Sequence, residues 1–328
     1  MKKISRFVSI MLVAILIVIT LSGCSQSVNE EPQGSELVYF DLDIEAVPLS
    51  ATPTAFTIPI PVASGSQTST NQRSIIDFSN ARDGYVMVRV TSSTTRQLRV
   101  RVTGPSNVIY QYRLDQGGAW EVFPLSDGNG RYNVQLFEQV QGNSFQTLNS
   151  ANFTVTLKDE FTPFLRPNQF VNFNRNSQIV TKAAELTDGV TGVYPRVEAI
   201  YNFVIRNIRY DRTFAAEVQR GMHAGYVPNL DSVLERRRGI CFDYASLMTG
   251  MLRSLGIPTR LVTGYAGTQF HAWIDVFSET EGWINNVIHF DGEQWNLMDP
   301  TFASTGNQSS DVMRFIGDGQ NYSPRFRY

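Results

Sequence analysis

Three side chains in the C-terminal half are of the types that together perform acyl transfer: Cys241, His271 and Asp299. Near neutral pH a thiol needs a base to take its proton, and an imidazole base needs a carboxylate to hold its tautomer. The three occur in the order Cys, His, Asp, each at the edge of an expected regular element. Behind Cys241, Tyr244, Ala245, Met248, Met251, Leu252 and Leu255 recur at spacings of three and four. That pattern predicts a helix with one buried face, ending at Gly256 with Pro258 beyond. Cys241 then stands at the helix N-terminus, where unpaired N–H groups and the macrodipole favour a thiolate. On the helix pattern alone, a buried structural cysteine packing as a small hydrophobe accounts for the residue equally well.

The competing residues are weaker candidates. The chain has three histidines. His223 falls in Thr213–Asn229, an insertion-like polar loop that could form a lid, and His289 in an extra segment, Glu279–Phe290; both read as surface residues. Asp275 is four residues from His271 along one expected strand, about 13 Å, too far to touch the imidazole. Asp299, on a different strand, can lie across from it. Asp243 reads as an N-terminal charge that suits the helix dipole. Arg236-Arg237-Arg238 reads as a helix C-terminal turn, or else as a cation cluster that stabilises the thiolate or attracts acidic substrates. Trp273 reads as a substrate-binding wall of the cleft, and Trp283 has no assigned role. The Cys241 backbone N–H is one expected oxyanion donor, and the second is not visible. There is no CxxC pair, no EF-type loop and no phosphate-cradling glycine motif, so neither a metal nor a cofactor is expected.

Five blocks carry a resemblance: Arg238-Gly239-Ile240-Cys241-Phe242-Asp243-Tyr244-Ala245, Leu252 to Arg260, Gly264-Tyr265, His271-Ala272-Trp273 and Asp299-Pro300-Thr301. In that order they resemble the core of the transglutaminase-like superfamily. The resemblance implies an α+β, papain-like core with Cys241 as nucleophile, His271 as general base and Asp299 as orienting acid. It implies a thioester acyl-enzyme on protein or peptide substrates, resolved by an amine (cross-linking) or by water (deamidation or peptide hydrolysis). Cell-wall peptide is one such substrate. The extra segment and the insertion-like loop depart from the family pattern.

The N-terminus points to the compartment. Lys2, Lys3 and Arg6 precede an apolar run from Phe7 to Leu21, too short for a membrane span and suited to an export signal. The run ends in Leu21-Ser22-Gly23-Cys24, which resembles the lipobox of bacterial lipoproteins. That resemblance implies lipidation of Cys24, with acyl chains such as palmitate, and a cell-membrane location on the extracytoplasmic face. The chain's other cysteine is Cys241. With Cys24 lipidated, Cys241 is an unpaired exported thiol, either buried or a working nucleophile.

The expected organisation is a signal peptide over 1–23, a polar tether over 24–36, a β-sandwich over 37–162 and the catalytic domain over 163–328. Strands are predicted at 85–90, 97–102, 131–137 and 153–157 from period-two alternation, with turn formers such as Asp127-Gly128-Asn129-Gly130 between them. Helices are predicted at 177–186, 195–208 and, capped by Asp231, 232–238. Further strands are predicted near 259–265, 270–277 and 293–298. A net charge of −2 predicts no nucleic-acid partner. The fold class is therefore a papain-like α+β core preceded by an antiparallel β-sandwich. The rival to a cell-surface thiol enzyme is a non-catalytic binding or adhesion lipoprotein.

Overall fold

Alternation in the N-terminal half resolves into two four-stranded antiparallel sheets in the computed structural model, which describes residues 56–266, 269–290, 295–297 and 322–328. The expected leader, the tether, Cys24 and Asp299 lie outside the described residues. One sheet contains β1 (Thr68–Thr70), β2 (Ser74–Asp77), β3 (Tyr85–Val90) and β6 (Glu121–Pro124), in the order β1-β2-β3-β6. The other contains β4 (Leu98–Thr103), β5 (Ile109–Leu114), β7 (Gly130–Gln141) and β8 (Ser144–Val155), in the order β5-β4-β7-β8. Leu98, Val100 and Val102 of β4 and Tyr132, Val134 and Leu136 of β7 point inward and are buried, while the residues between them face out. β8 starts well before its expected position. The polar run Ser144–Asn149 gives little hydrophobic signal, and it is held in place by its register with β7, with Gln139 opposite Phe145 and Gln141 opposite Ser144.

The helical layer follows at α1 (Gln178–Leu186) and α2 (Val193–Asn207), close to the expected spans. After β9 (Arg209–Tyr210), the insertion-like loop is in part a helix, α3 (Arg212–Gln219), whose N-cap Asp211 accepts from the Phe214 N–H. α4 (Leu230–Arg236) is capped by Asn229, whose side chain accepts from the Ser232 N–H, and not by Asp231. Asp231 instead accepts from the Ile179 N–H and so ties α4 to the start of α1.

β10 (Arg238–Gly239) leads into α5 (Cys241–Ser254), which the second sheet system covers: β11 (Thr259–Ala266), β12 (Gln269–Ser278), β13 (Gly282–Phe290), β14 (Trp295–Leu297) and β15 (Tyr322–Arg327). The order is β14-β13-β12-β11-β15, antiparallel throughout. The extra segment is thus a strand, β13, inserted between β12 and β14. The strand that runs toward Asp299 pairs with β13 and not with the strand of His271.

The sandwich and the α+β core share one hydrophobic cluster. At their junction Tyr328 packs edge-on against Tyr110 (5.7 Å), Tyr112 (6.0 Å) and Phe170 (4.7 Å). The expected α+β class with antiparallel sheets is the observed one.

Arg253, near the end of α5, is fully buried. Its guanidinium donates to the carbonyls of Thr259 (2.9 and 2.7 Å), Arg166 (2.7 Å) and Tyr328 (2.6 Å). Burial draws its pKa down to about 9, so it remains a cation at neutral pH, solvated by carbonyl dipoles in place of water. Replacing it by methionine strands those carbonyls without donors. Arg253→Met should lower stability by about 3 kcal/mol or more, read as a shift of the urea midpoint at unchanged slope; an unchanged midpoint would deny the guanidinium this role.

Candidate active site

Cys241 is the first residue of α5, as the apolar spacing predicted. It is a free, half-buried thiol. The turn before it is fixed from two sides. β10 pairs in parallel with β9, setting Gly239 beside Tyr210. Asp243, with no exposed surface, accepts from the Ile240 N–H (2.8 Å), the Tyr226 hydroxyl (2.5 Å) and Arg236 (3.2 Å). Asp243 therefore does more than suit the dipole. It closes the N-terminal turn and pins the loop carrying Tyr226 and the basic run to the nucleophile helix. Arg238 turns the other way, onto Asp211 at 2.7 Å, and Arg237 takes the left-handed position that ends α4.

His271 lies on β12, opposite Gly264 of β11, and is buried. Gly264 is required there. A Cβ at this position would sit 2.2 Å from the Ser323 carbonyl and 2.8 Å from the Trp273 ring. α5 and β12 meet where the Ala272 N–H, one residue past His271, points at the Cys241 sulfur. The nucleophile and the strand of the expected base are thus brought together.

The electrostatics differ from the sequence expectation. Burial is the largest influence on the Cys241 thiol and pushes it up, against the N–H groups of Ala272, Phe242 and Cys241 itself, which lower it; the buried Asp243 charge raises it further. Burial pushes the His271 imidazole down from its ordinary value. Both shifts favour a neutral thiol and a neutral imidazole over a thiolate–imidazolium pair. The helix N-terminus moderates the desolvation cost without overcoming it.

Tyr210 is a site residue that no sequence signal singled out. Its hydroxyl hydrogen-bonds both the backbone N–H and the thiol of Cys241, and burial, the largest cause, with the neighbouring thiol pushes its pKa up to about 12. Nothing in the spacing links a tyrosine after α2 to the cysteine; the short parallel β9–β10 pairing does. Tyr265 and Phe270 form an exposed edge-to-face pair (5.5 Å) beside His271.

Trp273 does not form an open cleft wall. It is 1% exposed, packed edge-on against Tyr322 at 5.2 Å and against Gly264, so it props the histidine strand from within. Trp283 donates to Glu160 (3.1 Å) and carries the Arg260 guanidinium on its ring at 3.5 Å. Asp275 is buried and pairs in register with Arg260 across the β11–β12 ladder, four residues along β12 from His271. His223 contacts Glu217 at 2.8 Å and stacks near Phe214. The side chain of His289, like Asp299, lies outside the described residues. Among the described residues no group of three or more His, Cys, Asp or Glu is placed to hold a metal ion.

A thiol pushed up by burial makes a kinetic prediction. The rate of Cys241 alkylation by iodoacetamide should keep climbing through pH 9. A plateau between pH 6 and 8, the sign of a preformed thiolate–imidazolium pair, would contradict the assignment.

Residues 180–287 match the model of the transglutaminase-like superfamily. Over 69 residues (17% of this chain, 10% of the relative) the chain is 32% identical to a protein-glutamine gamma-glutamyltransferase of Pseudomonas aeruginosa. Over 232 residues (58% of this chain, 30% of the relative) it is 22% identical to the uncharacterized protein YebA of Bacillus subtilis. The chain therefore spans under a third of either curated relative. A solved structure of a candidate cysteine protease from Cytophaga hutchinsonii aligns with 61% of this chain and 77% of its own, at 17% identity and a TM-score of 0.34.

Proposed function

With a transglutaminase-like domain at residues 180–287 as premise, we propose that this chain is a thiol acyl-transfer enzyme acting on protein or peptide amides through a Cys241 thioester. The observation that carries the reading is the Cys241 sulfur at the N-terminus of α5, with the Ala272 N–H on one side and the Tyr210 hydroxyl on another.

The reaction follows from that arrangement. Cys241 attacks the amide carbonyl as its proton passes to His271, forming the C–S bond. As the oxyanion forms, it takes the Cys241 N–H from the Tyr210 oxygen and accepts the Tyr210 O–H as its second donor, both lying beside the attacking sulfur. The C–N bond then breaks as His271 returns the proton to the leaving amine. Water attacks the thioester in the same way and restores the thiol; an amine in its place gives a new amide. Asp299 is the expected partner that orients His271. Because the shifts favour a neutral His271 and Cys241 at the start, proton transfer accompanies attack and does not precede it. An exposed bacterial site offers water in large excess, which favours hydrolysis over cross-linking.

The test is a screen of glutamine-containing and ordinary peptides by mass spectrometry, with and without a labelled primary amine. Acid or cleavage products should dominate, and Cys241→Ala should form none. Adducts exceeding the hydrolysis products would reassign the outcome to cross-linking, and turnover by Cys241→Ala would remove the thioester. Tyr210→Phe should reduce kcat about 10²-fold with little change in KM, since it removes an oxyanion donor; an unchanged kcat would take Tyr210 out of the oxyanion site. Loss of proton uptake at His271 should set the acidic limb of kcat/KM. Burial lowers its pKa, so the limb should fall below pH 6.5; a limb above that value would place the imidazole in a different electrostatic setting.

The same proposal includes the anchor, supported by the Leu21-Ser22-Gly23-Cys24 sequence. In a bacterial host, the chain should partition with detergent and take up an alkyne fatty acid. Cys24→Ala should abolish both; retained labelling would exclude Cys24 as the lipid site.

A further inference from the structure

Arg99 of β4 and Arg113 of β5 are direct partners across an antiparallel ladder, on its outward face. Like charges so placed repel each other. Arg101 follows two residues along the same face. Among the described residues, none of the three takes part in an ion pair. Both partners are nonetheless held in place. The Arg99 guanidinium stacks 3.9 Å from the Phe145 ring centre. Arg113 lies against Gly225, where a Cβ would approach it to 2.2 Å and where φ is +81°. Two positioned guanidinium groups that make no ion pair among the described residues are half of an anion site, with Asp115 the one carboxylate lining their shared cavity.

These arginines line two adjoining cavities of about 240 and 220 Å³, and the second runs into a third of about 380 Å³ through the shared residues Gln169 and Val227. Their shared lining residues make the three a furrow that starts on the β4–β5 face and continues against residues 169–177 and 225–231. Gln97 and Asn172 offer amide donors and acceptors along it, the chemistry that pairs with a peptide backbone, while Gln169 donates to the Arg113 carbonyl and to Glu121, Gln111 accepts from Arg101 and Asn229 caps α4. Its lining carboxylates are Asp115, which shares the first cavity with the two arginines and accepts from the Gly117 N–H, and Asp231, which accepts from the Ile179 N–H. The floor at Phe170 packs on Phe242, the neighbour of Cys241, at 5.5 Å.

We propose that this furrow binds an acidic, extended segment of the substrate, with Arg99 and Arg113 taking carboxylates spaced two residues apart. Such carboxylates project from one face of an extended chain about 7 Å apart, within reach of two arginines facing each other across a ladder. The inference rests on the thiol acyl-transfer reading for its choice of a peptide, and it supplies the substrate class that reading lacks.

The test is fluorescence anisotropy on the full chain carrying Cys241→Ala, with a labelled peptide of alternating Glu and Gln and a twin with every Glu replaced by Gln. The acidic peptide should bind at least about tenfold tighter, with a preference that shrinks as salt rises. Arg99→Gln and Arg113→Gln should each remove about tenfold, Arg113→Lys less, and the exposed, distant Arg82→Gln nothing. Equal binding of the twins, or an equal loss in Arg82→Gln, overturns the proposal. So does an acidic polysaccharide that binds with the same arginine dependence while the peptide does not. Turnover by the unsubstituted protein is read separately. Arginine-dependent acidic binding without turnover of any substrate would sink the catalytic reading and keep the furrow. Turnover with equal KM for Glu- and Gln-flanked substrates would do the reverse.

Discussion

The structure depends on burying α5 nearly all the way round. Twelve of its fourteen residues, from Asp243 to Ser254, are buried, so both ends must find partners inside the protein. At the N-terminal end, Asp243 accepts three donors and fixes the turn that presents Cys241. At the C-terminal end, Arg253 gathers carbonyls from the interlayer segment, the start of β11 and the end of β15. A helix anchored in this way cannot slide or tilt without stranding buried polar groups, and Cys241 at its start inherits that rigidity.

The same burial sets the electrostatics of the site. A cysteine at an exposed helix N-terminus is a thiolate candidate. Here the cover supplied by β12 and Tyr210 makes desolvation the larger effect, so the thiol is pushed up and the imidazole down. These shifts favour the two neutral partners over an ion pair.

Much of the core was legible in the sequence because it is written in local periodicity. The apolar spacing after Cys241 placed the start of α5 to the residue and its end to within two, and alternation placed β3, β4, β11 and β12 to within two. Where local pattern is weak, the reading fell short. The polar run 144–149 becomes strand only because β7 offers it a ladder. Residues 212–219 form a helix because Asp211 caps them and Phe214 packs on Tyr226 at 4.9 Å. Trp273 looked like a cleft wall because an aromatic beside a catalytic histidine suggests one; period two in fact turns it inward beneath Tyr322.

By itself the sequence determined the α+β class, the position of Cys241 at a helix start and the strand of His271, all consequences of spacings within one element. Only the tertiary structure decided what meets across elements. Tyr210 reaches Cys241 through a two-residue parallel pairing, Asp243 binds Tyr226 and Arg236, and β13 enters between β12 and β14. Arg99 faces Arg113, which lies in turn against Gly225. Each joins residues whose separation along the chain carries no periodic signal. They meet because buried apolar surface pulls the layers together and buried polar groups must then find partners where the packing leaves them.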